Sequence, residues 1–283
     1  MDTNPLYKTA AGEKEIIALY DNVLKNWPVP YETSLVSTRH GETFVICSGD
    51  KKAPPLFLLH GAASNAVSWV GDVAEYSRHF RVYAVDIPGE PGKSAPILLP
   101  FEGTAYAEWM EDLLNGLRQE KVFLLGLSQG GWTALKFATY RPERVAKLVL
   151  LTPAGITPTR GSFIASAIIL SFFGRWGAAK LNRIVFGKQP IHPEAVRFMN
   201  AILTHFKSRI SKEYIFSDDE LRRLTMPVCL ICGKEDAIRP ADDIVARMKI
   251  LAPKLQATII PEMGHVLVNL TDKIIPFLAS PKE

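Results

Sequence analysis

Gly126-Leu127-Ser128-Gln129-Gly130 places a serine between two glycines, directly after the apolar run Val122 to Leu125 and before a helical pattern from Gly131. Strand, sharp turn and helix in that order put a serine hydroxyl at the apex of a tight bend. Glycines two before and two after leave room for neighbouring backbone. A hydroxyl so exposed can attack a carbonyl, provided that a base takes its proton and an acid orients the base.

Six histidines are available. His265, in Pro261-Glu262-Met263-Gly264-His265, follows the last strand-like run and therefore faces the strand ends where Ser128 lies; it is the expected base. His60 closes the run Leu56 to Leu59 and is better placed to shape a turn than to titrate. His40, His79, His192 and His205 read as surface or capped residues. Asp236, in Cys232-Gly233-Lys234-Glu235-Asp236, follows another strand and precedes His265, so its carboxylate is the expected orienting acid. Glu235 is adjacent; Asp242 and Asp243 read as helix-start residues that complement the helix dipole. The oxyanion formed by attack needs donors. The backbone N–H of Gln129 is one, and His60-Gly61-Ala62-Ala63 offers another, assigned to Ala62.

The elements that must carry these groups alternate. Strands are expected at Phe44 to Cys47, Leu56 to Leu59, Val82 to Val85, Val122 to Leu127, Val145 to Leu151, Val228 to Cys232 and Ala257 to Ile260. Helices are expected at Ser68 to His79, Thr104 to Leu117, Gly131 to Tyr140, Ala241 to Leu251 and Val266 to Leu278. That rhythm predicts an α/β fold with a doubly wound, mostly parallel sheet, and ligand sites beyond the carboxyl ends of its strands. From Ala154 to about Leu224 the pattern is helical and rich in apolar bulk. The expected organisation is a first core part over 1–153, a helical lid over 154–224 and a second core part over 225–283. Phe163, Ile168, Phe172 and Phe173 are expected to line a substrate pocket under that lid, because Phe163 to Trp176 is apolar on more than one helical face.

With these motifs assembled, the chain resembles the α/β-hydrolase superfamily, in its lidded branch of serine esterases, C–C hydrolases and haloperoxidase-like enzymes. The resemblance runs from about Leu35 onward and rests on His60-Gly61, Asp86-Ile87-Pro88-Gly89 with Gly92 and Ser94, Gly126 to Gly130, Gly233 to Asp236, and Gly264-His265. The order serine, acid, histidine matches as well. Relatives usually read D-x-P-G-x-G-x-S; here Glu90-Pro91 supplies one residue more. Dehalogenases and soluble epoxide hydrolases of this fold carry aspartate where this chain has Ser128. The resemblance implies hydrolysis of small to medium hydrophobic carboxylic esters through an acyl-enzyme. C–C bond hydrolysis of a vinylogous diketone, and a ligand sensor that keeps the triad, are the alternatives.

Composition bounds the partners. The 33 basic and 29 acidic residues leave a net charge of +4 spread along the chain, so nucleic acid is not expected. The amino terminus lacks the basic and apolar regions of a signal peptide, and Phe163 to Phe173 is too short to span a bilayer, so the expected location is cytoplasmic with no stable membrane insertion. Cys229 and Cys232 have metal-type spacing, but on a strand they point to opposite faces and cannot share an ion. Neither a metal nor an organic cofactor is expected. The expected partner is a small hydrophobic ester, with a homodimer left open.

Overall fold

The computed structural model describes residues 4–189, 191–209 and 211–281. In chain order the elements are α1 (Ala10–Lys25), β1 (Tyr31–Thr38), β2 (Gly41–Ser48), β3 (Pro55–Leu59), α2 (Val73–Ser77), β4 (Arg81–Val85), α3 (Ala105–Gly116), β5 (Val122–Leu127), α4 (Gln129–Tyr140) and β6 (Val145–Leu151). There follow α5 (Gly161–Ser171), α6 (Gly174–Phe186), α7 (Pro193–His205), α8 (Asp218–Leu221), β7 (Val228–Gly233), α9 (Ala241–Leu251), β8 (Leu255–Ile260) and α10 (Thr271–Ala279). Among the described residues the strands form one eight-stranded sheet in the order β1-β2-β4-β3-β5-β6-β7-β8. β1 and β2, and β2 and β4, pair antiparallel; every other neighbouring pair is parallel.

The parallel strands read as continuous apolar runs because both faces are covered. All five residues of β4 and all six of β7 are buried. One face carries α3, α4 and α9 through Trp109, Leu113, Leu135, Ile244 and Met248. The other carries α1, α2 and α10 through Ile16, Tyr20, Tyr76, Ile274 and Leu278. Cys232 belongs to the first layer and Cys229 to the second, so the two thiols of β7 do point apart. Burial pushes their pKa values up to about 12 and about 11.

Several boundaries differ from the sequence expectation. β1 and α1 have no counterpart in it. β1 is a sheet edge, half polar and largely exposed, so its pattern is weak. In α1 the buried Ile16, Tyr20 and Leu24 form a stripe with a spacing of four, and Thr9 caps it by accepting from the Gly12 N–H. The helix expected at Ser68 to His79 is instead a 3₁₀ turn, Ala66–Gly71, followed by the short α2. Gly71 and the β-branched Val67, Val70 and Val73 disfavour one continuous helix. The last helix starts at Thr271 rather than Val266. Leu267 and Leu270 are buried and imitate a helical pattern, but they belong to the loop that carries His265. Among the described residues, no helix is long and apolar enough to cross a membrane.

Lys147, buried on β6, anchors the far end of α10. Its Nζ donates to the carbonyl oxygens of Phe277 (2.7 Å), Leu278 (3.2 Å) and Ser280 (2.7 Å). These are groups at a helix C-terminus, where the last carbonyls lack intrahelical donors. Lys147→Met should therefore strand them and lower the unfolding free energy by about 1–3 kcal/mol. Urea denaturation of the two proteins measures the difference, and equal midpoints would refute the anchoring role.

Candidate active site

The site is built where β3, β5, β6, β7 and β8 end. Ser128 lies between β5 and α4 with φ +52° and ψ −110°, a region costly for any residue with a β-carbon. The surroundings hold it there. Its N–H donates to Leu151 O (2.9 Å), and its carbonyl accepts from the N–H groups of Trp132 (2.9 Å) and Ala154 (3.0 Å). A β-carbon at Gly130 would overlap the carbonyl oxygen of Leu59, so only glycine lets α4 pass so close to β3.

His265 meets Ser128 from the loop after β8. Its Nε2 is 2.8 Å from Ser128 Oγ, and its Nδ1 is 2.8 Å from Asp236 Oδ2. The other carboxylate oxygen of Asp236 accepts from the N–H groups of Ile238 (2.7 Å) and Arg239 (2.9 Å), which fixes its rotation. An ionised acceptor on Nδ1 selects the tautomer whose Nε2 lone pair faces the hydroxyl. The imidazole is also gripped by its own backbone. His265 N–H donates to Val185 O at the end of α6 (3.0 Å), and its carbonyl accepts from Thr152 Oγ1 just beyond β6 (2.8 Å). The other carboxylates near Asp236 are engaged elsewhere: Glu235 with Lys188, and Asp242 with Lys234. Asp243 is exposed.

Ala62, Gln129 and Ser128 line one cavity of about 280 Å³. Gln129 opens α4, and the first N–H groups of a helix have no intrahelical acceptor, so a negative charge placed beside Ser128 would meet a donor and the positive end of the dipole. His60 is buried, with Nδ1 2.8 Å from Gly61 O and Nε2 accepting from the Ile87 N–H (3.0 Å). Burial lowers its pKa to about 4, so it is a neutral brace for the turn at Ala62. The extended loop after β4 is pinned by Asp86, which accepts from the N–H groups of Ala66 and Lys93 (2.7 Å each).

Sequence reasoning missed Glu90. Its Oε2 accepts from Ala63 N–H (2.7 Å) and its Oε1 from Gln129 Nε2 (3.0 Å), so one carboxyl group bridges the turn after β3 to the residue after Ser128. It lines the cavity. The extra residue at Glu90-Pro91 was the available signal, read only as a change in loop length.

The expected pocket residues are placed elsewhere. Ile168, Phe172 and Phe173 are exposed, Phe163 is half-buried, and none of the four lines the cavity. No residue of α5 is buried, so this helix does not lie with a face against the site. The segment between β6 and β7 reaches the cavity through non-helical stretches instead, with Thr159, Phe206, Arg209, Glu213 and Tyr214. Phe101 and Trp132 complete an aromatic wall, their ring centroids 4.9 Å apart. Arg239 also borders the space, paired with Glu213 at 2.6 Å.

Residues 56–273 match the model of the Alpha/beta hydrolase family. The chain belongs to that family. It is 34% identical over 260 residues to Carboxylesterase YbfK of Bacillus subtilis (strain 168), covering 88% of this chain and 86% of that protein. A second relative from the same organism, the uncharacterized carboxylesterase nap, is 34% identical over 256 residues, with 88% and 85% covered. Among solved structures, the Bacillus subtilis naproxen esterase (carboxylesterase NP) superimposes with a TM-score of 0.86 at 31% identity, over 96% of this chain and 99% of that one. Carboxylesterase CesB (YbfK) gives 0.84 at 30%, over 95% and 99%.

Burial pushes the Glu90 pKa of this α/β hydrolase from 4.5 up to about 7, against the opposing pull of its two hydrogen bonds. Between those values the folded protein keeps a proton that the unfolded chain has released. The contribution of Glu90 to stability therefore falls as pH rises through about 4.5 to about 7. Glu90→Gln should remove that slope, so the stability difference between variant and parent should move in the variant's favour across this window. Urea unfolding at a series of pH values reads it; parallel curves for the two proteins would refute it.

Proposed function

We propose that the protein is a serine carboxylesterase acting on small to medium hydrophobic esters. The single observation that carries the reading is the pair of 2.8 Å contacts aligning Ser128, His265 and Asp236. The likeness to two Bacillus subtilis carboxylesterases at 34% identity supports the choice of ester as the bond cleaved. In this reading His265 Nε2 takes the Ser128 proton as Oγ attacks the ester carbonyl. The N–H groups of Ala62 and Gln129 hold the oxyanion, and Asp236 stabilises the imidazolium. The imidazolium then gives its proton to the leaving alcohol. A water deprotonated by the same nitrogen hydrolyses the acyl-serine and restores the hydroxyl. The cycle uses no metal or organic cofactor.

Residues 154–224 act as a lid over the two core parts, 1–153 and 225–283, closing the cavity with Phe206, Arg209, Glu213 and Tyr214. The aromatic wall of Phe101, Trp132, Phe206 and Tyr214 suits an apolar acyl or alcohol group. The enzyme works in the cytoplasm, with no nucleic-acid partner.

A panel of p-nitrophenyl esters of differing chain length tests the assignment. Multiple turnover is expected, with an organophosphate label on Ser128. Ser128→Ala should abolish turnover without unfolding the protein, and Asp236→Asn should lower kcat by about 10⁴, the loss seen when a serine-protease triad loses its acid. A slow single turnover would favour a sensor, and labelling of another residue would overturn the reading.

Specificity gives a second check. Phe101→Ala should change discrimination between short and long acyl chains by about 1–3 kcal/mol, whereas Phe172→Ala should leave the profile unchanged. The reverse result would return the pocket to α5.

A further inference from the structure

The hairpin of α5 and α6 has an inverted surface. Ile168 is 56% exposed, Phe172 82%, Phe173 56% and Trp176 64%, with Ile164 and Ile169 also exposed. The six lie within thirteen residues of sequence, and the rings of Phe173 and Trp176 touch edge to face at 5.6 Å. Apolar groups so concentrated on a surface mark a docking site. The two helices of the hairpin are in close contact. A β-carbon at Gly177 of α6 would overlap Leu170 O of α5, so the two helices pack backbone to backbone.

Charge says what covers the patch. From Arg160 to Lys188 the chain carries Arg160, Arg175, Lys180, Arg183 and Lys188, and neither aspartate nor glutamate. Lys188 pairs with Glu235. Arg160, Arg175, Lys180 and Arg183 are exposed, and among the described residues none is within ion-pair distance of a carboxylate. A second copy docking through the same face would set these cations against each other across a two-fold axis. An anionic lipid surface meets both features, taking the aromatic and aliphatic side chains at the acyl boundary and the cations at the headgroups.

We propose that the α5–α6 hairpin docks on the surface of an anionic lipid bilayer. The hairpin is rooted at the active site at both ends. Thr159, just before α5, lines the cavity, and Val185, near the end of α6, accepts the His265 N–H. A docked hairpin would therefore hold the cavity next to the lipid. The docking itself does not depend on which bond the enzyme cleaves.

The test is co-sedimentation of the full-length protein with phosphatidylcholine vesicles, with and without phosphatidylglycerol. Binding is expected with phosphatidylglycerol, weak without it, and falling with added salt. Each of Arg175→Gln, Lys180→Gln and Arg183→Gln should weaken it about fivefold. The double variant Phe172→Ser with Phe173→Ser should weaken it by roughly tenfold or more. Trp176 emission should shift to the blue on binding, since Trp27, Trp69, Trp109 and Trp132 are already buried. These side chains lie outside the cavity, so each variant should keep its melting temperature and its turnover of a water-soluble ester. Absence of sedimentation would overturn the proposal, as would equal binding to both vesicle types. A dimer in sedimentation velocity that Phe172→Ser with Phe173→Ser dissociates would assign the face to a second copy instead.

Discussion

The backbone of Ser128 is the constraint to which the rest answers. A residue with a β-carbon does not rest at φ +52°, ψ −110° unless its environment over-determines it. Here the determination comes from three elements. β6 accepts the Ser128 N–H, the residues beyond β6 donate to its carbonyl, and α4 begins on the next residue with Gly130 pressed against β3. Each of those contacts requires the parallel order β3-β5-β6 and its register, in which Leu59 stands beside Gly126 and Leu127 beside Leu151. The central sheet is thus a jig for one turn, and the apolar runs covered on both faces are what make the jig stiff.

His265 is positioned differently, by a loop rather than by a strand. Its carbonyl is tied to Thr152 on the core and its N–H to Val185 on α6. His265 is therefore shared between the sheet and the helical segment that separates β6 from β7. That segment is tied to the core again at the N-terminus, where Tyr7 bridges Phe206 and Lys8 N–H donates to His205 O (2.8 Å). A displacement of α6 would move the imidazole relative to Ser128 Oγ, while Asp236, fixed by the turn after β7, would stay. Geometry between Ser128 and His265 depends on the helical segment in a way that geometry between Ser128 and the sheet does not.

Legibility in the sequence followed local density of signal. Ser128, Asp236 and His265 sit beside strands whose apolar runs announce them, and their small neighbours mark the turns, so their convergence could be inferred from strand ends alone. β1 was not legible because an exposed edge strand need not be apolar. The cavity wall was illegible for another reason. Phe206, Arg209 and Tyr214 lie in irregular chain, where no periodicity ties a side chain to a direction. Glu90 was visible as a residue too many, but insertion length carries no information about where a carboxyl group points.

The apolar residues of α5 expose the weakest step in reading function from hydrophobicity. A helix apolar all round does need partners on more than one face, and a substrate cavity is one such partner. The sequence cannot say on which side of the helix the site lies. In the structure the cavity is bordered by Glu90, Arg209, Glu213 and Arg239 as well as by aromatic rings, while isoleucines, phenylalanines and a tryptophan face outward. Interior polarity is sustained because these groups are engaged: Glu90, whose protonated form burial favours, by two donors, Arg239 by Glu213 and by the Thr157 carbonyl (3.0 Å), and Arg209 over the Phe101 ring. Among the described residues, no comparable compensation is present for the outward apolar groups. In the proposed docking an external surface balances them, and the cations beside them on α6 set the sign of charge that such a surface should carry.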